Sequence, residues 1–150
     1  MKTIIVAVDF SANTPPVVRA AVELADAVQG RLVVTTVVSL PIVATDNGLG
    51  VEVMTDGLEA AEAAADLQLG RIAAGLAHDK VPCETVKLTG QPAASILELA
   101  SERNADYMII GSHGHSALYD LLVGSTAHAI LTRASCPVMV VPSHAPILPA

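Results

Sequence analysis

Five short apolar runs, separated by segments of helical periodicity, leave this chain few ways to fold. "TIIVAV" (Thr3 to Val8) is continuously apolar and too short for an ordinary helix, as expected of a strand covered on both faces. "RLVVTTVV" (Arg31 to Val38), "CETVKL" (Cys83 to Leu88), "YMIIG" (Tyr107 to Gly111) and "PVMVVP" (Pro137 to Pro142) also read as strands. After Asp9, Thr14 as N-cap and Pro15 at the first helical position open a helix with Val18, Ala21, Val22, Ala25 and Val28 on one face. Gly30 stops it. A longer helix is capped by Asp56, with Ala61, Ala65, Leu69, Ile72 and Leu76 recurring every three or four residues and Glu59, Glu62 and Asp66 on a solvated face. Pro92 opens a third helix, and Ser125 caps a fourth with Ala127, Ile130 and Leu131 inward. The stretch between the second strand and Asp56 reads as a loop. No hairpin dipeptide joins consecutive strands of the five. The alternation therefore predicts a doubly wound, Rossmann-like α/β sheet of five parallel strands, with right-handed crossovers placing helices on both faces. At 150 residues the chain is expected to form a single domain over 1–150.

Composition removes several classes of function. Apolar residues make up 52%, yet no block reaches the roughly 18 residues that span a membrane. The apolar start breaks at Asp9, before it reaches the roughly 7 to 15 residues of a secretory signal, so a cytoplasmic protein is expected. Eight basic residues, scattered singly, face fifteen acidic ones for a net charge of −7, which disfavours nucleic acid as a partner. Phe10, Tyr107 and Tyr119 are too few for a base-stacking platform. Cys83 and Cys136 read as buried free thiols, and no Cys/His metal spacing occurs.

In open α/β sheets ligands sit beyond the carboxyl ends of the strands, where the winding direction reverses. Those ends carry Asp9, Val37, Val38 and Gly111. "GSHGHSALYDLLVGSTAHAI" (Gly111 to Ile130) follows the fourth strand, with glycines, hydroxyls and two near-adjacent histidines but no lysine or arginine. Gly111, Gly114 and Gly124 allow tight turns and close approach of backbone to a ligand. The free N–H groups at the helix start beside Ser125 and Thr126 suit an anion. On these grounds alone a phosphate site and a plain strand-to-helix turn both remain open. His113 and His115 lack a zinc-site pattern, and Ser112 beside His113 is not set in a G-x-S-x-G elbow. G-x-x-x-x-G-K-[ST] is absent too, and with no basic residue in the segment efficient phosphoryl transfer is not expected.

Gly111, two residues, Gly114, nine residues and Gly124-Ser125 resemble the nucleotide-binding signature of the universal stress protein family. "MIIGSHGHSALYDLLVGSTAHAILTRASCPVMVVP" is similar to that family over its C-terminal third, as are "IIVAVDFSANT" and "GQPAASILELA" further upstream. Ser39 to Asp56 is the main stretch without a match. The resemblance implies strand order 3-2-1-4-5 and ATP, with Mg2+, over the strand ends. It implies a homodimer through the fifth strand, Val138 to Val141. Carried over, Val8 and Asp9 would face the adenosine, with Asp9 accepting from ribose or base, and the Val37 backbone would meet the adenine edge. Gly111, Ser112, His113, Gly114 and His115 would wrap ribose and phosphates, and Gly124, Ser125 and Thr126 would hold the phosphate end. Many members have glycine after the first-strand Asp, where this chain has Phe10. The function implied is an ATP-binding regulatory module of the stress response with slow or no hydrolysis. The alternatives are an interaction module without nucleotide and a true nucleotide hydrolase.

Overall fold

A computed structural model describes residues 1–39, 42–44, 51–53, 55–113 and 123–143. The elements in order are β1 (Lys2–Ala7), α1 (Thr14–Val28), β2 (Gly30–Val38), β3 (Ile42–Ala44), β4 (Val51–Val53), α2 (Thr55–His78), β5 (Cys83–Thr89), α3 (Pro92–Glu102), β6 (Tyr107–Gly111), α4 (Ser125–Arg133) and β7 (Val138–Val141). Five strands form one parallel sheet in the order β5-β2-β1-β6-β7, which is 3-2-1-4-5 when its own strands are counted.

Strand alternation sorts the apolar runs into two cores. Ile4 and Val6 of β1, with Leu32 and Val34 of β2, pack under Val17, Ala21 and Ala25 of α1 and Leu69 and Leu76 of α2. Ile5 and Val33 point the other way, against Ile96 and Leu99 of α3 and Ala127 and Ile130 of α4. Both faces of β1 are thus covered, which is why its sequence shows no polar alternation. Among the described residues no helix is long and apolar enough to cross a membrane.

Several sequence expectations change. The stretch read as a loop after β2 contains β3 and β4, an antiparallel pair in which Ile42 faces Val53 and Ala44 faces Val51. Two β-branched segments flank an Asn47-Gly48 dipeptide, a hairpin signal overlooked because both runs are only three residues long. The cap of α1 is Asn13 rather than Thr14, and that of α4 is Gly124 rather than Ser125. Val17 joins the buried face of α1, whereas Leu131 of α4 is 46% exposed. Gln29, at φ 53°, supplies the left-handed C-cap of α1. Gly30 is instead a site of close packing, where a Cβ would lie 2.9 Å from Ile4 Cδ1 and 3.1 Å from the Lys2 carbonyl. Cys83 and Cys136 are free but half-buried, and burial pushes both thiols up, with Glu84 and Asp106 adding to it.

At the end of the sheet where β1 begins, Asp106 accepts from Thr3 N–H at 2.9 Å and pairs with Lys2 Nζ at 3.1 Å. The Thr3 hydrogen bond, then Lys2, hold its carboxyl below the usual range. A lowered folded value contributes stability above the unfolded value, and that stability is lost as pH falls through the folded one. Asp106→Asn is therefore expected to lower the urea midpoint at pH 7, with the gap to the parent closing under acid. An equal gap at pH 7 and pH 3 would contradict this account.

Candidate functional site

β1 pairs with β2 on one side and with β6 on the other, so the winding reverses beside its carboxyl end. A cavity of about 640 Å3 lies there. Three strand ends and the starts of three helices meet around it.

One end of the cavity is an apolar slot. Val8, Val37 and Val38 stand at the strand ends and line it together with Ala61, Ala65 and Gln68 of α2, although the Val37 side chain packs into the second core. Ala61, expected in the core by its spacing, is exposed because its side of α2 looks onto this opening. β1 ends with Ala7 opposite Thr35, while β2 and β5 run on together to Val38 and Thr89. In an inner parallel strand alternate residues bond to opposite neighbours. The Thr35 carbonyl receives the Val8 N–H at 2.9 Å, and the Val38 carbonyl receives the Gly90 N–H at 3.1 Å. Val37 accordingly turns its N–H and C=O toward the crevice, past the end of β1. The structure so brings a donor and an acceptor of the main chain to the position read from sequence.

At the other end, α4 begins. The Gly124 N–H donates to the Ser112 carbonyl at 2.7 Å, and the first intrahelical bond runs from His128 N–H to the Gly124 carbonyl at 2.9 Å. The N–H groups of Ser125, Thr126 and Ala127 precede that bond and have no helical acceptor. Ser125 and Thr126 are exposed and line the cavity. The positive end of the α4 dipole faces the same space. Among the described lining residues none is lysine or arginine. Arg103 is engaged with Glu84 at 2.7 Å. Arg71, not singled out in the sequence, lines a smaller cavity of about 310 Å3 that shares Phe10, Thr14 and Gln68 with the large one.

Gly111 lies between the two ends. A Cβ there would collide with Asn13 Nδ2, so glycine serves close approach at this position. Ser112 is a structural junction: its N–H donates to the Val141 carbonyl at 2.8 Å, and its Oγ accepts from Ser143 N–H at 3.0 Å and lies 3.1 Å from His113 Nδ1. His113 lines the cavity, whereas Gly114 and His115 fall outside the described residues. Asp9, at the strand end read from sequence, is exposed, and its Oδ1 accepts from Ser11 N–H at 3.0 Å. Phe10 adopts φ 61°. That left-handed backbone is unusual for a bulky residue and is why glycine suits this position. Sequence reasoning missed Asn13, which lines the cavity and is 7% exposed. Among the described residues no group of three or more His, Cys, Asp or Glu is placed to hold a metal.

A parallel doubly wound sheet with a cavity over its switch point and a helix N-terminus at one end defines a Rossmann-like α/β fold. The family model described as "Universal stress protein family" matches residues 1–142, including the stretch after β2, and the chain belongs to that family. It is 33% identical to universal stress protein A homolog 1 of Coxiella burnetii, over 93% of this chain and 95% of that protein. It is 29% identical to universal stress protein YxiE of Bacillus subtilis, over 91% of this chain and 96% of the relative. The fold is shared with a family member from Burkholderia pseudomallei at TM-score 0.76 and 24% identity, covering 95% of this chain and 96% of that one. An Arabidopsis thaliana member with AMP bound superposes at TM-score 0.71 and 18% identity, over 100% of this chain and 97% of its own. An Archaeoglobus fulgidus member in complex with dAMP does so at TM-score 0.60 and 24% identity, over 94% and 97%.

Proposed function

We propose that the cavity binds ATP, with Mg2+, and that the protein acts through its nucleotide-bound state as a regulatory module rather than as an efficient enzyme. The observation that carries this reading is the start of α4: three N–H groups without helical acceptors, at the end of a cavity whose other end is apolar. Backbone N–H groups and a helix dipole hold phosphate without any side-chain cation. A purine fits the slot between Val8, Val37 and Ala61, with its edge at the Val37 main chain, and the ribose then falls beside Asp9 and Gly111. Gly111, Ser112, His113 and, in the sequence motif, Gly114 and His115 would surround ribose and phosphates, with Gly124, Ser125 and Thr126 at the phosphate end. The AMP and dAMP complexes of two structural neighbours support an adenine nucleotide as the class of ligand.

Mg2+ is commonly held by one or two carboxylates together with phosphates and water. Asp9 is the carboxylate among the described lining residues. The same lining supplies no lysine or arginine to offset charge on a transferring phosphoryl group, which favours binding over fast turnover. For self-association we propose the outer edge of β7, Val138 to Val141, where Met139 is 41% exposed on a strand with one free edge.

Freshly purified protein, once denatured, is expected to release an adenine nucleotide. With Mg2+ and ATP at about 100 times the dissociation constant it gains roughly 2.7 kcal/mol, or about 5–10 °C in melting temperature. In sedimentation at micromolar concentration the same preparation runs as a dimer. No shift at millimolar ATP would overturn the nucleotide reading and favour an interaction module; a monomer would overturn the β7 pairing.

A further inference from the structure

Asn13 occupies the cap position of α1, yet its side chain does no capping. A capping side chain accepts from the second or third helical N–H. Here those positions are Pro15 and Pro16, which have none. The sequence thus leaves the Asn13 side-chain carbonyl without its ordinary local donor. The residue is nonetheless only 7% exposed, and it lines the large cavity. Its Nδ2 donates over a long 3.4 Å to the Val141 carbonyl, and that neighbouring carbonyl assigns nitrogen rather than oxygen to this end of the amide. Oδ1 is shielded from water and, among the described residues, has no hydrogen-bond partner. Leaving a buried acceptor this way is costly. Gly111, by lacking a Cβ, makes the room in which this amide sits.

We propose that Asn13 is a specificity-determining residue whose Oδ1 accepts a hydrogen bond from a ribose hydroxyl of the bound nucleotide. The inference rests on the nucleotide reading above and deepens it. Asn13 lies against Gly111, between the apolar slot and the start of α4, where the sugar of a nucleotide spanning both ends must lie. The terminal torsion of asparagine is broad, and the long bond to Val141 leaves slack. A turn of the amide about that torsion would carry Oδ1 toward the cavity that Asn13 lines. A hydroxyl there relieves an acceptor that is otherwise unsatisfied, whereas a deoxy sugar leaves it unsatisfied. Discrimination between ribose and deoxyribose follows from the same asymmetry that makes orphaned polar groups costly.

The test is calorimetric titration of the parent and Asn13→Ala with ATP, 2′-deoxyATP and 3′-deoxyATP. In the parent, at least one deoxy analogue is expected to bind about tenfold more weakly than ATP. Asn13→Ala is expected to weaken ATP by about the same factor while leaving that analogue unchanged, so the preference disappears. Asn13→Gly, which is tolerated at a helix cap and also carries no side-chain acceptor, gives a second variant if the alanine form fails to fold. A parent that binds ATP and both analogues equally, or variants that keep the parent's preference, overturns the role of Asn13 and leaves nucleotide binding standing. A parent that binds none of the three overturns both.

Discussion

Gly124→Val is expected to fold and to lose nucleotide. A Cβ at Gly124 would stand 3.3 Å from the Ser112 carbonyl and 3.7 Å from His113 Cα, closer to the carbonyl than almost any native Cβ contact. The Ser112 carbonyl must yield to that Cβ, and the two further methyl groups of valine add bulk beside it, so the start of α4 is expected to shift away from the end of β6. That shift breaks the 2.7 Å bond from Gly124 N–H to Ser112 and misdirects the N–H groups of Ser125 and Thr126. Hydrogen bonds to charged groups are each worth about 1.5–3 kcal/mol, so losing two weakens ATP by more than about a hundredfold. Titration calorimetry reads the affinity, and circular dichroism reports the fold. A variant that binds like the parent would remove the start of α4 from the site.

Gly30→Val is expected to show the opposite pattern. Here a Cβ would meet Ile4 Cδ1 at 2.9 Å, the Lys2 carbonyl at 3.1 Å and Val28 Cγ2 at 3.2 Å. Ile4 is fully buried in the first core, and Lys2 belongs to the strand paired with Gly30 itself. Neither neighbour yields cheaply. Overpacking of this kind costs about 1–3 kcal/mol, and valine adds bulk beyond the Cβ. The melting temperature should fall by roughly 5–10 °C. Gly30 begins β2, at the end of the sheet opposite the cavity, so the increment on adding ATP should match that of the parent. A parent-like melting curve would refute the packing argument, and a lost ATP increment would refute the separation of core from site.

These two glycines show where reading from sequence was sound and where it stopped. Gly124 was legible as part of a spaced motif before a helix, although the structure makes it the cap and Ser125 the first helical residue. Gly30 looked like a helix stop, because a glycine after an amphipathic run usually is one. The chain instead places Gln29 in the left-handed conformation and uses Gly30 to bring β1 and β2 together. Phe10 shows the converse, since its positive φ cannot be read from a residue type that normally avoids it. The β3–β4 pair escaped notice because three-residue strands carry too few side chains for a period to show.

Asn13 marks the deepest limit. Its two following prolines were on the page from the start, but their consequence, a side-chain oxygen with nothing to accept from, needs the burial that only packing supplies. The apolar runs and their helical spacers were enough to define five strands, helices on both faces and the strand ends as the place for a cavity, because each follows from local periodicity, from the need to bury apolar surface and from the winding of the sheet. Which main-chain groups Val37 turns toward the crevice, which carbonyl holds Gly124 and which acceptor is stranded at Asn13 were decided by tertiary structure. They depend on register and on contacts between residues as far apart as Asn13 and Val141, and no local pattern encodes that distance.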